Sequence, residues 1–154
     1  MNMAASLYKT AYWIVVADES RAIVYTQDLT RDPMHELFMM ENEAAREKIA
    51  TLISDRGGRS FDSHGEGRHT MTREKTDPKM HAAIIFAKEI AERVSKAKYD
   101  GSCRSFALIA APRFLGVLRD ALATAGNLVP TVTIDKDVVG QDSDYIGKLL
   151  AEHK

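Results

Sequence analysis

The stretch CRSFALIAAPRFLGVLRDALATAGNLVPTVTID, residues 103–135, decides the fold. Cys103–Ala111 is an almost unbroken apolar run of strand length, as expected for a strand covered on both faces. Pro112 suits the first turn of a helix, where its missing N–H has no intrahelical partner, and the pattern PRFLGVLRDALATAG predicts a helix closing near Gly126. Val129–Asp135 then alternates as a strand does. Strand, helix and strand in this span make a βαβ unit, with parallel strands and a right-handed crossover.

Toward the N-terminus, AYWIVVADESRAIVYTQD carries two β-branched and aromatic runs, Tyr12–Ala17 and Ala22–Tyr25, on either side of the polar turn DESR. These form a hairpin. Both runs lack polar alternation, which places them centrally in a sheet. HELFMME, His35–Glu41, follows the turn-like TRDPM and supplies a further strand, and a short helix is expected from about Asn42 to Ala50. Asp77 caps a longer helix with Pro78 at its first position. There Met80, Ala83, Ile84, Ala87, Ile90, Ala91 and Val94 recur at three- and four-residue spacing, so one amphipathic helix runs to about Lys98. SDYIGKLLAEH gives a terminal helix capped by Ser143 or Asp144. The expectation is one α/β domain over residues 1–154, with a mixed sheet of about five strands flanked by helices and a long glycine-rich loop before the longest helix. Met39, Met40 and Met80 are read as core filler.

Composition narrows the function classes. The 154 residues are 45% hydrophobic and 28% charged, with a formal net charge of -1, which is ordinary for a soluble globular chain. Such a balance excludes a domain that grips nucleic acid over its whole surface, though not a local basic patch. Cys103 is the single cysteine, so neither an internal disulfide nor a thiolate zinc cluster can form within one chain. The longest early apolar run, Ala11–Ala17, is far short of the roughly 20 residues needed to span a bilayer and lacks the features of a leader peptide. A cytoplasmic protein without a membrane partner is expected. Nothing in the sequence specifies an oligomeric state.

The segment DRGGRSFDSHGEGRH, residues 55–69, holds four of the nine glycines. Adjacent Gly57 and Gly58 remove Cβ bulk and let a backbone approach a partner closely. Arg59 and Arg68 each offer a planar fork to phosphate, Arg73 adds charge at the base, and His64 and His69 titrate near neutrality. A second position is the strand-to-helix junction IAAPRFLG, where Arg113 stands near a helix N-terminus at the usual ligand-binding end of an α/β sheet. The plainer reading there is that Phe114 and Leu115 simply pack beneath the helix. Neither a Walker loop nor a dinucleotide fingerprint is present, and His64, His69 and His81 lack the H-E-x-x-H spacing. Ser60 and Ser63 sit in no nucleophile elbow, and Cys103 reads as a small core residue. No catalytic residue, metal or cofactor is assigned.

Taken in order, WIVVADESRAIVY, ISDRGGRSFDSHGEGRH, HAAIIFAKEIAERV, APRFLGVLRDAL and TIDKD resemble the bacterial family of proteins required for attachment to host cells. The likeness covers about Tyr12 to Asp137. That family is in turn distantly similar to the catalytic central domain of archaeal and eukaryotic peptide chain release factors. In those factors a Gly-Gly-Gln loop before a long helix enters the ribosomal peptidyl transferase centre. Here Gly57 and Gly58 match in type, and Arg59 stands where the glutamine would be. The resemblance therefore implies a non-enzymatic protein that binds the ribosome, tRNA or another RNA through Gly57, Gly58, Arg59, Arg68, His69 and Arg73. One alternative is an ester hydrolase of peptidyl-tRNA type, with Arg59 and His64 or His69 shaping the site. Another is a small-ligand binding or interaction module working through Arg113.

Overall fold

The computed structural model describes residues 12–27, 33–44 and 77–153. Strands β1 (Tyr12–Ala17), β2 (Arg21–Gln27), β3 (His35–Glu41), β4 (Ser105–Ala110) and β5 (Val132–Ile134) form one sheet in the order β3-β2-β1-β4-β5. Three helices stand among the described residues: α1 (Pro78–Asp100), α2 (Pro112–Gly126) and α3 (Ser143–Glu152). The expected hairpin is present, with β1 antiparallel to β2, and β4 pairs in parallel with both β1 and β5. Of the helix expected from about Asn42 to Ala50, Glu43 and Ala44 are helical, and residues 45–50 lie outside the described residues.

The unbroken apolar runs of β1 and β4 follow from a sheet sandwiched between two cores. Trp13, Val15 and Ala17 of β1, with Phe106, Leu108 and Ala110 of β4, face α1 and α2. Their neighbours Ile14, Val16, Ala107 and Ile109 face α3 and the segment before it, where Ile134, Val138, Ile146 and Leu149 complete a second cluster. Alternate residues of one strand thus serve opposite cores, and no position is left for a polar side chain. On the first face Phe86 of α1 and Phe114 of α2 stack at 6.0 Å between ring centres, both fully buried. Truncating either to alanine removes about 3–5 kcal/mol of packing.

Several boundaries differ from the sequence reading. β5 spans only Val132–Ile134 because Pro130 cannot donate to a ladder, and Thr131 instead satisfies the Phe106 carbonyl with both its N–H (2.8 Å) and its hydroxyl (3.2 Å). β4 starts at Ser105, since the Cys103 N–H turns back to the Ala97 carbonyl at the end of α1. There Gly101 takes the left-handed conformation (φ 88°) that closes α1. At the end of α2 it is Asn127, at φ 54°, that adopts it. The cap of α3 is Asp142, whose carboxylate accepts the Tyr145 N–H at 2.9 Å, not Ser143 or Asp144. Met39 and Met80 are not core filler: each is 46% exposed, the first on the edge strand β3 and the second on the outer side of α1. Met40 does pack against the first core.

Candidate functional site

Strand direction gives the sheet one shared carboxyl end, at which Arg113 stands. β1, β3, β4 and β5 run the same way and only β2 opposes them, so Ala17, Glu41, Ala110 and Ile134 mark a shared carboxyl rim. The β1–β2 turn is fastened there by Asp18, whose Oδ1 accepts the N–H groups of Ser20 (2.8 Å) and Arg21 (3.0 Å). The Ala111 N–H reaches the Ala17 carbonyl at 3.2 Å, and the chain then enters α2. Pro112 and Arg113 are exposed in the first turn, while Phe114 and Leu115 are buried beneath it, as the plainer reading required. Ala111 provides no side-chain acceptor at the helix start, so the first N–H groups of α2 are left to solvent or to a ligand.

Asn42 organises the opposite corner of this rim. It is 2% exposed, the one buried polar residue among those described. Its backbone N–H bonds the Ser20 carbonyl (2.9 Å), and its amide Nδ2 donates to the carbonyls of Glu19 (2.8 Å) and Ala82 (3.3 Å). The end of β3, the β1–β2 turn and the beginning of α1 are thereby held together. Ala44 and Asp77, the described residues flanking segment 45–76, therefore both lie at the carboxyl rim. Gly57, Gly58, Arg59, His64, Arg68, His69 and Arg73 belong to that segment and lie outside the described residues.

On the α3 side of the rim, Arg21 closes against the loop after β5. A Cβ built on Gly140 would stand 3.8 Å from an Arg21 guanidinium nitrogen, so the loop passes close to the cation. Tyr25, four residues along β2 from Arg21, has its phenol pushed above the ordinary range by burial first, then by the carboxylates of Glu36 and Asp142, with Arg21 opposing. Among the described residues the rim thus carries one half-buried guanidinium, Arg21, and one exposed guanidinium, Arg113. Such groups attract anions by charge and need no proton transfer to do so.

Other chemistries find less material. Among the described residues no group of three or more His, Cys, Asp or Glu side chains is placed to hold a metal ion. The Cys103 thiol is 1% exposed, and burial pushes its pKa up to about 11, so it is a protonated core group at neutral pH. No described helix is long and apolar enough to cross a membrane. Sequence reasoning placed Arg113 but missed the tie made by Asn42, whose partner carbonyl lies forty residues away and leaves no local pattern. It also missed Arg21, which reads as an ordinary turn residue in DESR. The family model described as protein required for attachment to host cells matches residues 13–150. No curated protein matches the chain.

Proposed function

Since this chain belongs to the family of proteins required for attachment to host cells, we propose that it acts in the cytoplasm as an RNA-binding protein of the translation apparatus. Segment 57–73 makes the contact, with Arg59 and Arg68 on phosphates, His69 and Arg73 beside them, and Gly57 and Gly58 admitting the RNA backbone. Phosphate contacts require charge and reach, not a fixed base sequence. An effect on attachment to host cells is then indirect. The supporting observation is the Asn42 tie, which sets both flanks of the segment at the carboxyl rim, the end at which open α/β sheets meet their ligands. Exposed Arg113 adds a cation at that end. The resemblance to release factors supports the choice of partner, and Arg59 in place of glutamine favours binding over hydrolysis.

Co-sedimentation with ribosomes at low and moderate salt tests the proposal. Wild-type protein is expected in the ribosomal pellet at low salt and increasingly in the supernatant as salt rises, because counterion release drives such binding. Arg59→Ala/Arg68→Ala should remain in the supernatant at both. Equal distribution of the two proteins would remove the reading.

A further inference from the structure

The outer surface of α1 and α2 carries an open groove of about 960 Å³. Its floor is made of small residues, among them Ala91, Ala121 and Ala125, and its α1 ridge bears Met80, Ile84 and Tyr99. These three large side chains are 46%, 39% and 93% exposed, an unusual concentration on one helix of the described structure. Between them on the same ridge lie the exposed cations Lys88 and Lys96 and the exposed anion Glu92, while Asp120 stands on the α2 wall. The four charges cancel, so two such surfaces meet without net repulsion.

We propose that this groove is a self-association face, filled by α1 of a second copy lying antiparallel across a two-fold axis near Ile90. The order of residues along α1 argues for that occupant. In an antiparallel arrangement centred there, Lys88 lies opposite Glu92 of the partner subunit, and symmetry repeats the pair in reverse. Met80 at one end of the helix meets Tyr99 of the partner subunit at the other, so the most exposed apolar groups cover each other. Ile84 falls beside the aliphatic stem of Lys96 of the partner subunit. A parallel two-fold would instead set Lys88 against its own copy. The small floor residues permit the close helix approach of about 8–10 Å that such packing needs. A helix of 23 residues is about 34 Å long and one of 15 residues about 22 Å, so at roughly 10 Å of width each α1 and α2 offer on the order of 560 Å² per copy. That is below the roughly 800 Å² per partner of a standard interface, as expected of a reversible dimer.

Sedimentation velocity over a wide concentration range is expected to show a reversible dimer. Lys88→Glu places like charges opposite each other and should weaken association about tenfold or more, while Lys88→Glu/Glu92→Lys should restore it. Lys88 and Glu92 are both exposed, and unchanged circular dichroism and melting temperature establish that each variant is folded. Orientation is read from Met80→Cys/Tyr99→Cys. The two sulfurs stand about 28 Å apart on one helix, so a disulfide between them must join two molecules. Mild oxidation should give a covalent dimer from the double variant and none from either single variant. A monomer at every concentration, failure of the charge swap to restore the dimer, or covalent dimer from Met80→Cys alone would each overturn the proposal.

Discussion

The Asn42 side-chain amide donates at 3.3 Å to the carbonyl of Ala82, forty residues further along the chain. With its second bond, to Glu19, it fastens β3, the β1–β2 turn and α1 at the carboxyl rim. Asn42→Ala removes that donor from the buried Ala82 carbonyl and the part-buried Glu19 carbonyl, and a cost of about 1–3 kcal/mol is expected. Urea unfolding measures the loss, and hydrogen exchange should show the first turns of α1 opening more readily. A change of only a few tenths would show that water replaces the amide without penalty.

Arg93 of α1 holds its guanidinium carbon 3.9 Å from the centre of the Phe38 ring on β3, and Phe38 meets Trp13 edge-on at 5.5 Å. The cation thus covers an aromatic pair at the edge of the sheet. Arg93→Ala removes both the cation–π attraction and the cover given by the aliphatic stem, at an expected cost of about 0.5–1 kcal/mol. Arg93→Lys should recover part of it. Thermal unfolding of the two variants, with Trp13 fluorescence as the probe, distinguishes this from an inert surface charge, for which neither variant would differ from wild type.

Cys103 gives a stability that depends on alkaline pH. Its folded pKa of about 11 lies above the ordinary thiol value of 9.0, so the folded state favours the protonated thiol. The contribution is complete below pH 9 and is lost as pH rises from about 9 toward 11. Cys103→Ala or Cys103→Ser should therefore flatten the fall in stability over that window. Iodoacetamide at pH 8 should label native wild-type protein slowly and unfolded protein quickly, whereas rapid native labelling would contradict the burial.

Much of the architecture was legible because local and global demands agree. Trp13–Ala17 and Phe106–Ala110 are apolar at every position, and only a sheet buried on both faces uses such a run. Asp77, Pro78 and Gly101 punctuate α1 as their conformational preferences require. Less was legible where alternatives are locally equal or the cause is remote. Asp142, Ser143 and Asp144 are all competent caps, and the choice among them depends on where the loop over Arg21 releases the chain. Met39 and Met80 have the composition of core residues, yet their exposure depends on what covers an edge strand and the outer side of a helix. Of the candidate site, Arg113 was readable from its strand-to-helix junction. The Asn42 tie was not, because a hydrogen bond across forty residues has no sequence period.

Asp142 combines two roles that substitution separates. As the cap of α3 it accepts the Tyr145 N–H, and as a nearby carboxylate it helps to raise the Tyr25 phenol, after burial and Glu36. Asp142→Asn keeps a capping oxygen and removes the charge, so neutral-pH stability should change by only a few tenths of a kcal/mol while Tyr25 ionises at lower pH. Asp142→Ala removes both and should cost about 0.5–2 kcal/mol. Because the folded Tyr25 pKa is raised above 10.0, the associated stability is present below pH 10 and is lost above it, and the asparagine variant should lose less there. Phenolate absorbance, taken as the difference between variant and wild type, isolates one of the five tyrosines. An unchanged titration in Asp142→Asn would mean that the carboxylate is screened from the ring, and that burial, Glu36 and the opposing Arg21 set the Tyr25 proton affinity.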